Sequence, residues 1–170
     1  NIKITATKEI ENGLSKVLYS TCALSYQSRI IVSGGESGNQ VFVADYDTPL
    51  YFPQNSLAKV GSGDSEVVDL NTQNGKIVAL KKDGIYALTL KKGDKINEIS
   101  LLADNDKYFT ECDSFECQEI TKQIGCRGRN STAVLNDNTI FLGSDGQVYA
   151  LASLSSKKVI CLTENFSEEF

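Results

Sequence analysis

The sequence contains no histidine, no methionine and no tryptophan, and only two prolines among its 170 residues. Without histidine the chain cannot build a Ser-His-Asp or Cys-His nucleophile, a histidine-containing zinc site or the facial iron triad. Carboxylate pairs occur at Asp104 and Asp106 and at Glu111 and Asp113, but this polar stretch offers no apolar surroundings to raise a pKa. We therefore predict no enzymatic activity, no catalytic residue, no cofactor and no metal.

The net charge and the hydropathy of the sequence exclude further classes of protein. Lysine and arginine number 17 against 22 aspartate and glutamate, which gives a net charge of −5 and disfavours binding to duplex DNA, where affinity comes mostly from neutralising phosphates. No run approaches 18 apolar residues, and the first thirty lack a cationic start followed by an apolar core. We expect neither a membrane span nor a signal peptide. The missing initiator methionine leads us to expect a processed chain or a piece of a longer one.

Five cysteines are present, at positions 22, 112, 117, 126 and 161. The odd number argues against a complete disulfide framework, so a reducing compartment is the default expectation. Cys112 and Cys117 lack both a second cysteine pair and a histidine, which disfavours a zinc site. A local Cys112–Cys117 disulfide remains an alternative in an oxidising environment. Cys22 and Cys161 fall within predicted strands, where we expect small buried hydrophobic residues.

Short β-rich runs punctuated by Gly, Asn and Asp dominate the chain. The clearest unit is a meander of four predicted strands, Glu66–Leu70, Ile77–Leu80, Ile85–Leu90 and Ile96–Leu101. The turn after Ile77–Leu80 ends in Asp83-Gly84, which predicts a hairpin with a positive φ at Gly84 rather than a calcium loop. We expect Lys81 and Lys82 to be solvated in this turn, and Lys91–Lys95 to form the next turn.

The same unit recurs on both sides. Downstream, the predicted strands are Ser131–Leu135, Ile140–Leu142, Val148–Leu151 and Val159–Leu162, and upstream they are Val17–Ser25, Arg29–Ser33 and Gln40–Ala44. The second strands begin near Ile30, Ile77 and Ile140, which are 47 and 63 residues apart. The first spacing matches a propeller blade, and the second does so if the polar segment 103–118 is an insertion between blades. Lys3–Thr7 would be the outer strand of a preceding blade.

The predicted fold is a single all-β domain over residues 1–170. It consists of β-propeller blades, each a four-stranded antiparallel meander, with about three blades plus an extra strand. A β-sandwich or barrel is the alternative. Three blades do not close a ring, because propellers start at four. We expect the chain to be a piece of a larger propeller or, alternatively, two copies to complete a six-bladed ring.

Two segments carry a family resemblance, one over Arg29–Pro53 and one over Ile124–Leu151. They resemble the β-propeller proteins of tailed-bacteriophage virions, of the packaged-DNA stabilisation and tail-nozzle type. The residues that match the family's motifs are Arg29, Gly34, Asp45, Tyr46, Pro49, Tyr51, Phe52, Pro53, Gly125, Cys126, Ser131, Phe141, Leu142, Asp145, Gly146 and Tyr149.

The resemblance implies a virion structural protein at the portal or tail connection, which forms or closes the DNA conduit through protein–protein contacts. Its partners would be other virion proteins and copies of itself, and DNA would pass without specific binding along an acidic lumen. No membrane and no small-molecule substrate is implied, and the protein would assemble in the host cytoplasm. A carbohydrate- or host-surface-binding propeller module and a generic interaction scaffold remain alternatives.

Overall fold

The part of the chain that the structure describes folds into three four-stranded antiparallel sheets with almost no helix, as the all-β prediction requires. The computed structural model describes residues 17–46, 49, 51–53, 56–62, 65–100 and 107–164, with the backbone alone for 92–100 and 107–113. Among these residues no helix has the length and apolar character needed to cross a bilayer. Each sheet is an open meander whose strands follow one another in chain order.

Twelve strands make up the three sheets. The first sheet contains β1 (Cys22–Tyr26), β2 (Arg29–Ser33), β3 (Gln40–Val43) and β4 (Leu57–Lys59). The middle sheet contains β5 (Val67–Gln73), β6 (Lys76–Lys81), β7 (Gly84–Ser100) and β8 (Lys107–Thr121). The third sheet contains β9 (Thr132–Leu135), β10 (Asn138–Leu142), β11 (Val148–Ser153) and β12 (Lys158–Cys161).

The middle sheet is packed on both faces, which explains the uninterrupted apolar run in β6. Side chains alternate between the two faces of a strand. Ile77 and Ala79 pack in one apolar cluster with residues of the first sheet. Val78 and Leu80 pack in a second cluster with residues of the third sheet. A strand buried on both faces needs apolar residues at every position, and not at every second one.

The three sheets stack in the same sense. We call the face of a sheet that points toward the next sheet along the chain its front face, and the opposite one its back face. The front of the first sheet, with Ile31 and Val43, packs on the back of the middle sheet. The front of the middle sheet packs in turn on the back of the third sheet, where Phe141 and Tyr149 lie. The stack is therefore a repeat of one front-to-back contact.

Strand register corrects the predicted alignment of the repeats. The first hairpins close on the pairs Tyr26–Arg29, Gln73–Lys76 and Leu135–Asn138. Counting from these pairs, Ile30 and Ile77 are equivalent to Thr139 and not to Ile140. The predicted alignment is thus wrong by one residue in the third repeat. A slip of one residue moves a side chain to the other face of its sheet, and Ile140 accordingly lies on the front face.

The outer half of the middle sheet also differs from prediction. The predicted turn Lys91–Lys95 and strand Ile96–Leu101 lie within the single strand β7, as far as Ser100, with only a register irregularity between Lys91 and Lys95. The fourth strand is β8, so the described part of the expected insertion 103–118 belongs to this sheet. β7 and β8 continue as a two-stranded ribbon beyond their pairing with β6.

Three smaller differences concern the first sheet and one turn. The predicted strand Val17–Ser25 begins only at Cys22, and β4 was not expected from the sequence. Lys3–Thr7 lies outside the described residues. The prediction of a positive φ at Gly84 is wrong, because Gly84 is the first residue of β7 and has ordinary strand geometry. Glycine is needed there because a Cβ would lie 2.6 Å from the carbonyl oxygen of Thr121.

Candidate functional site

The residues of the second family motif form one structural unit at an end of the third sheet. The loop after β8 brings Gly125 against the β6–β7 turn, where a Cβ would lie 1.8 Å from the Lys82 carbonyl oxygen. Cys126 is buried, and its N–H donates to the Lys81 carbonyl at 2.8 Å. The Ser131 hydroxyl lies 3.3 Å from the Cys126 sulfur. These contacts attach the third sheet to the middle one, so the motif has a packing role.

The β10–β11 hairpin completes this unit. The Tyr149 hydroxyl donates to the Asp145 carboxylate at 2.5 Å, and the Gln147 N–H donates to the same carboxylate. The hydrogen bond to Asp145 raises the pKa of Tyr149 to about 12, and the same bond lowers the pKa of Asp145. The Phe141 and Tyr149 rings stack with centroids 5.6 Å apart. Gly146 has a φ of 88°, which favours glycine.

The first family motif is spread over two places. At one, the Arg29 guanidinium lies 5.6 Å from the centre of the Tyr46 ring, and the Asp45 N–H donates to the Tyr51 carbonyl at 2.8 Å. Tyr46 and Tyr51 are exposed. Pro49 is also exposed, and Phe52 and Pro53 are half-buried.

Gly34 marks the second place, where the first sheet meets the middle one. Its φ is 76°, and a Cβ would lie 2.6 Å from the Val67 carbonyl oxygen and 2.3 Å from the Thr21 hydroxyl. The backbone of β5 approaches this turn closely, since the Val67 N–H donates to the Gly38 carbonyl at 3.0 Å. Only glycine combines this conformation with this contact. Leu142, the remaining motif residue, is half-buried on the front face of the third sheet.

Tyr26 and Gln73 are two of the polar side chains that join successive sheets, and sequence reasoning missed both. The Tyr26 hydroxyl, from the first sheet, donates to the Gly75 carbonyl of the middle sheet at 2.5 Å. The fully buried amide of Gln73 donates to the Leu151 carbonyl at 2.6 Å and accepts the Thr139 N–H at 2.9 Å. Tyr26 and Gln73 occupy equivalent positions, the last residue of the first strand in each sheet.

Lys81 is buried and not solvated, contrary to expectation. Its side chain is 0% exposed, and its ammonium donates to the Val60 carbonyl at 3.2 Å and lies 3.3 Å from the Asp83 carboxylate. The ammonium also lies 5.6 Å from the centre of the Tyr86 ring. These contacts fasten the connection between the first and middle sheets to the β6–β7 turn. A buried cation requires such partners, because leaving it without them is costly.

The cysteines are placed apart. Cys112 and Cys117 lie five residues apart on β8, so their Cα atoms are about 16 Å apart and cannot form a disulfide. Cys117 is a free thiol. Burial, followed by the nearby charge of Asp69, raises the pKa of the Cys22 thiol to about 12. Within the described ranges, no three Cys, Asp or Glu side chains cluster in a way that could hold a metal.

Among the described residues, the front face of the third sheet packs against no other sheet, and we call it the open face. Register places Ile140 opposite Ala150, Leu142 opposite Val148, and Ile160 next to Ala150 on this side. Its apolar members are Leu135, Ile140, Leu142, Val148, Ile160 and Leu162. Leu135, Ile160 and Leu162 are 60%, 38% and 43% exposed. An exposed apolar patch of this kind is typical of a protein–protein interaction site.

Comparison with protein-family models and with curated protein sequences gives no match to this chain. The functional interpretation therefore depends on the residues themselves and on the sequence resemblance described above.

Proposed function

We propose that this chain is a structural protein of a tailed-bacteriophage virion, located at the portal or tail connection, and that its three sheets are successive blades of a β-propeller. The observation that carries the proposal is the repeated front-to-back contact between four-stranded meanders. Propeller blades stack in this way around a central axis. A β-sandwich instead packs two sheets through one shared core.

The motif residues support the same proposal. Gly34, Gly125 and Gly146 occupy positions where the backbone geometry or a close contact demands glycine. Cys126, Ser131, Asp145 and Tyr149 interlock within one loop and hairpin. These residues would then hold the blades together, and the conduit-forming role would depend on the surfaces between neighbouring proteins. In a conduit, the net charge of −5 would keep DNA from adhering.

The test is whether the chain is part of the particle. Particles purified by density gradient from a lysate of the encoding phage are probed with an antibody against this chain, and gold-labelled antibody locates it by electron microscopy. We expect stoichiometric chain in the particles and label at the neck. A nonsense mutant should yield particles that lose their DNA or lack tails. Absence of the chain from purified particles, with abundant chain in the lysate, would overturn the proposal.

One observation favours a second candidate, a ligand-binding module. Tyr46 and Tyr51 are exposed, and the Arg29 guanidinium lies over the Tyr46 ring. Exposed aromatic rings are the usual platforms for sugars. Binding of the purified chain to an array of glycans, lost on Tyr46→Ala but retained on Tyr19→Ala, would support this candidate over the virion role. Tyr19 is a matched control because it is also exposed.

A further inference from the structure

Three neighbouring strands of the middle sheet each place one polar or reactive side chain on its back face. On β6, Lys81 follows Ala79 by two residues and therefore points to the same side. On β7, Tyr86 packs in the apolar cluster that the first and middle sheets share. On β8, Cys117 lies opposite Leu88, another member of that cluster. We call Lys81, Tyr86 and Cys117 the thiol cluster.

The Tyr86 hydroxyl is a buried donor without a partner. Tyr86 is only 2% exposed, and within the described ranges no group forms a hydrogen bond with its hydroxyl. The hydroxyl oxygen lies against Gly61, at 2.5 Å from the place that a Cβ would occupy. Most buried polar side-chain atoms in native proteins are paired, because an unpaired one costs free energy. The Tyr86 proton is therefore free to bind an acceptor that forms beside it.

The Cys117 sulfur shares these surroundings. Cys117 is exposed and its thiol is free. Partial burial of the thiol raises its pKa, whereas a hydrogen bond from the Gly61 N–H and the Lys81 charge lower it. Gly61 therefore contacts both the sulfur and the Tyr86 hydroxyl. Cysteines that react with oxidants lie in such electropositive, partly accessible places.

Hydrogen-bond donors and positive charge predominate around the sulfur. The Lys81 ammonium donates to the Val60 carbonyl and lies 5.6 Å from the centre of the Tyr86 ring. The carboxylate of Glu119 acts on the thiol in the opposite sense, and less strongly than Gly61 or Lys81. These surroundings favour an oxygen atom carried by the sulfur, because hydrogen bonds to a charged oxygen are stronger than those to a neutral one. The same surroundings disfavour a metal cation.

We propose that Cys117 is an oxidation site, at which hydrogen peroxide converts the thiol to a sulfenic acid whose oxygen accepts a hydrogen bond from the Tyr86 hydroxyl. The thiolate sulfur attacks one peroxide oxygen, the O–O bond breaks and an S–O bond forms. The sulfur loses two electrons and the peroxide gains them. The second oxygen leaves as hydroxide and takes up the proton of the thiol to become water. The inference is independent of the virion role, because it depends on the thiol cluster alone.

The experiment treats the folded chain with hydrogen peroxide in the presence of dimedone, which adds to sulfenic acids, at about pH 8 because the thiolate is the reacting form. Every sample carries Cys112→Ser, so that Cys117 is the one cysteine of its tryptic peptide. Mass spectrometry of the peptides follows the label at each cysteine. We expect label at Cys117 and little at Cys22, whose thiol has a pKa raised to about 12 by burial. Tyr86→Phe should lower the rate of labelling at Cys117 about tenfold, since a hydrogen bond to a charged oxygen is lost.

Two controls separate this role from packing. The hydroxyl of Tyr86 is unpaired in the reduced chain, so Tyr86→Phe should melt at the wild-type temperature before oxidation. Tyr26 belongs to the same apolar cluster, but its hydroxyl bonds to Gly75 at the other end of β6, so Tyr26→Phe should leave the labelling of Cys117 unchanged. Absence of label at Cys117 would overturn the proposal, and so would equal labelling in the wild type and Tyr86→Phe. An equal fall in Tyr26→Phe would assign the effect to lost packing and would also contradict it.

Discussion

Replacing Gln73 by methionine tests the contact between the middle and third sheets. Gln73 is fully buried, and its amide satisfies two backbone groups of the third sheet, the Leu151 carbonyl and the Thr139 N–H. Methionine fills a similar volume but pairs with neither group. Each buried backbone group left without a partner costs about 1–3 kcal/mol. Because methionine recovers part of this through apolar burial, we expect a net loss of about 3 kcal/mol.

The free energy of unfolding can be measured by urea titration, with circular dichroism as the signal because the chain has no tryptophan. A loss of about 3 kcal/mol corresponds to a fall in Tm of about 6–12 °C for a protein of this size. Gln123→Met is the matched control, since Gln123 is exposed and should tolerate the change. If Gln73→Met lies within about 1 kcal/mol of the wild type, the amide does not carry the contact and the reasoning fails.

Gln73→Glu separates hydrogen bonding from packing. A buried carboxyl group has a raised pKa in the folded chain, so its contribution to stability is complete below the unfolded pKa and is lost as pH rises. The protonated carboxyl can still donate to Leu151 and accept from Thr139, as glutamine does. Gln73→Glu should therefore approach wild-type stability near pH 4 and fall well below it at pH 8. Equal losses at both pH values would indicate a steric cause instead.

Two further predictions concern turns and titration. Gly84→Ala and Gly146→Ala should each cost about 1–3 kcal/mol, the first from overlap with the Thr121 carbonyl and the second from its φ of 88°. Gly146→Asn should recover part of the loss and Gly84→Asn none, as urea titration would show. Equal recovery at both positions would contradict the assignment of the first loss to steric overlap and of the second to backbone conformation. The raised pKa of Tyr149 contributes stability that is complete below pH 10 and lost as pH rises toward about 12. Tyr149→Phe should remove that part of the alkaline dependence, and identical profiles would refute the role of the Asp145 bond.

Much of the fold follows from strand patterns in the sequence. The hairpins around Asp83-Gly84 and Asp145-Gly146 are predictable because recognisable turn residues separate two short β-rich runs in each case. The strand β4 was missed because three residues are too short to show a period. The fourth strand of the middle sheet was missed because β8 is rich in charged and polar residues and reads as a loop. Its pairing with β7 depends on long-range register, which no local pattern contains.

The contacts between sheets could not be predicted from local sequence either, because they depend on residues that are distant along the chain. Lys81 follows an apolar strand and precedes a turn, which is the ordinary setting of an exposed lysine, and its burial depends on Val60 and Asp83. Gln73 looks like a turn residue until the third sheet is placed beside it. The apolar character of β10 and β11 was visible in the sequence, but which side remained uncovered depends on the order in which the sheets stack.

The front-to-back stack also determines which parts of the backbone should open first to solvent. The middle sheet packs against two neighbouring sheets and each outer sheet against one. Because contacts with neighbours stabilise a sheet, we expect the amide hydrogens of β5 and β6 to be the best protected from exchange. Amide hydrogens of β6 should exchange through global unfolding, and those of β12, at the edge of the third sheet, through local opening. A partner that covered the open face would give the third sheet a second neighbour as well, and protection from exchange would then extend to its strands. Slowed amide exchange in β10 and β11 would then show, residue by residue, that the open face is covered.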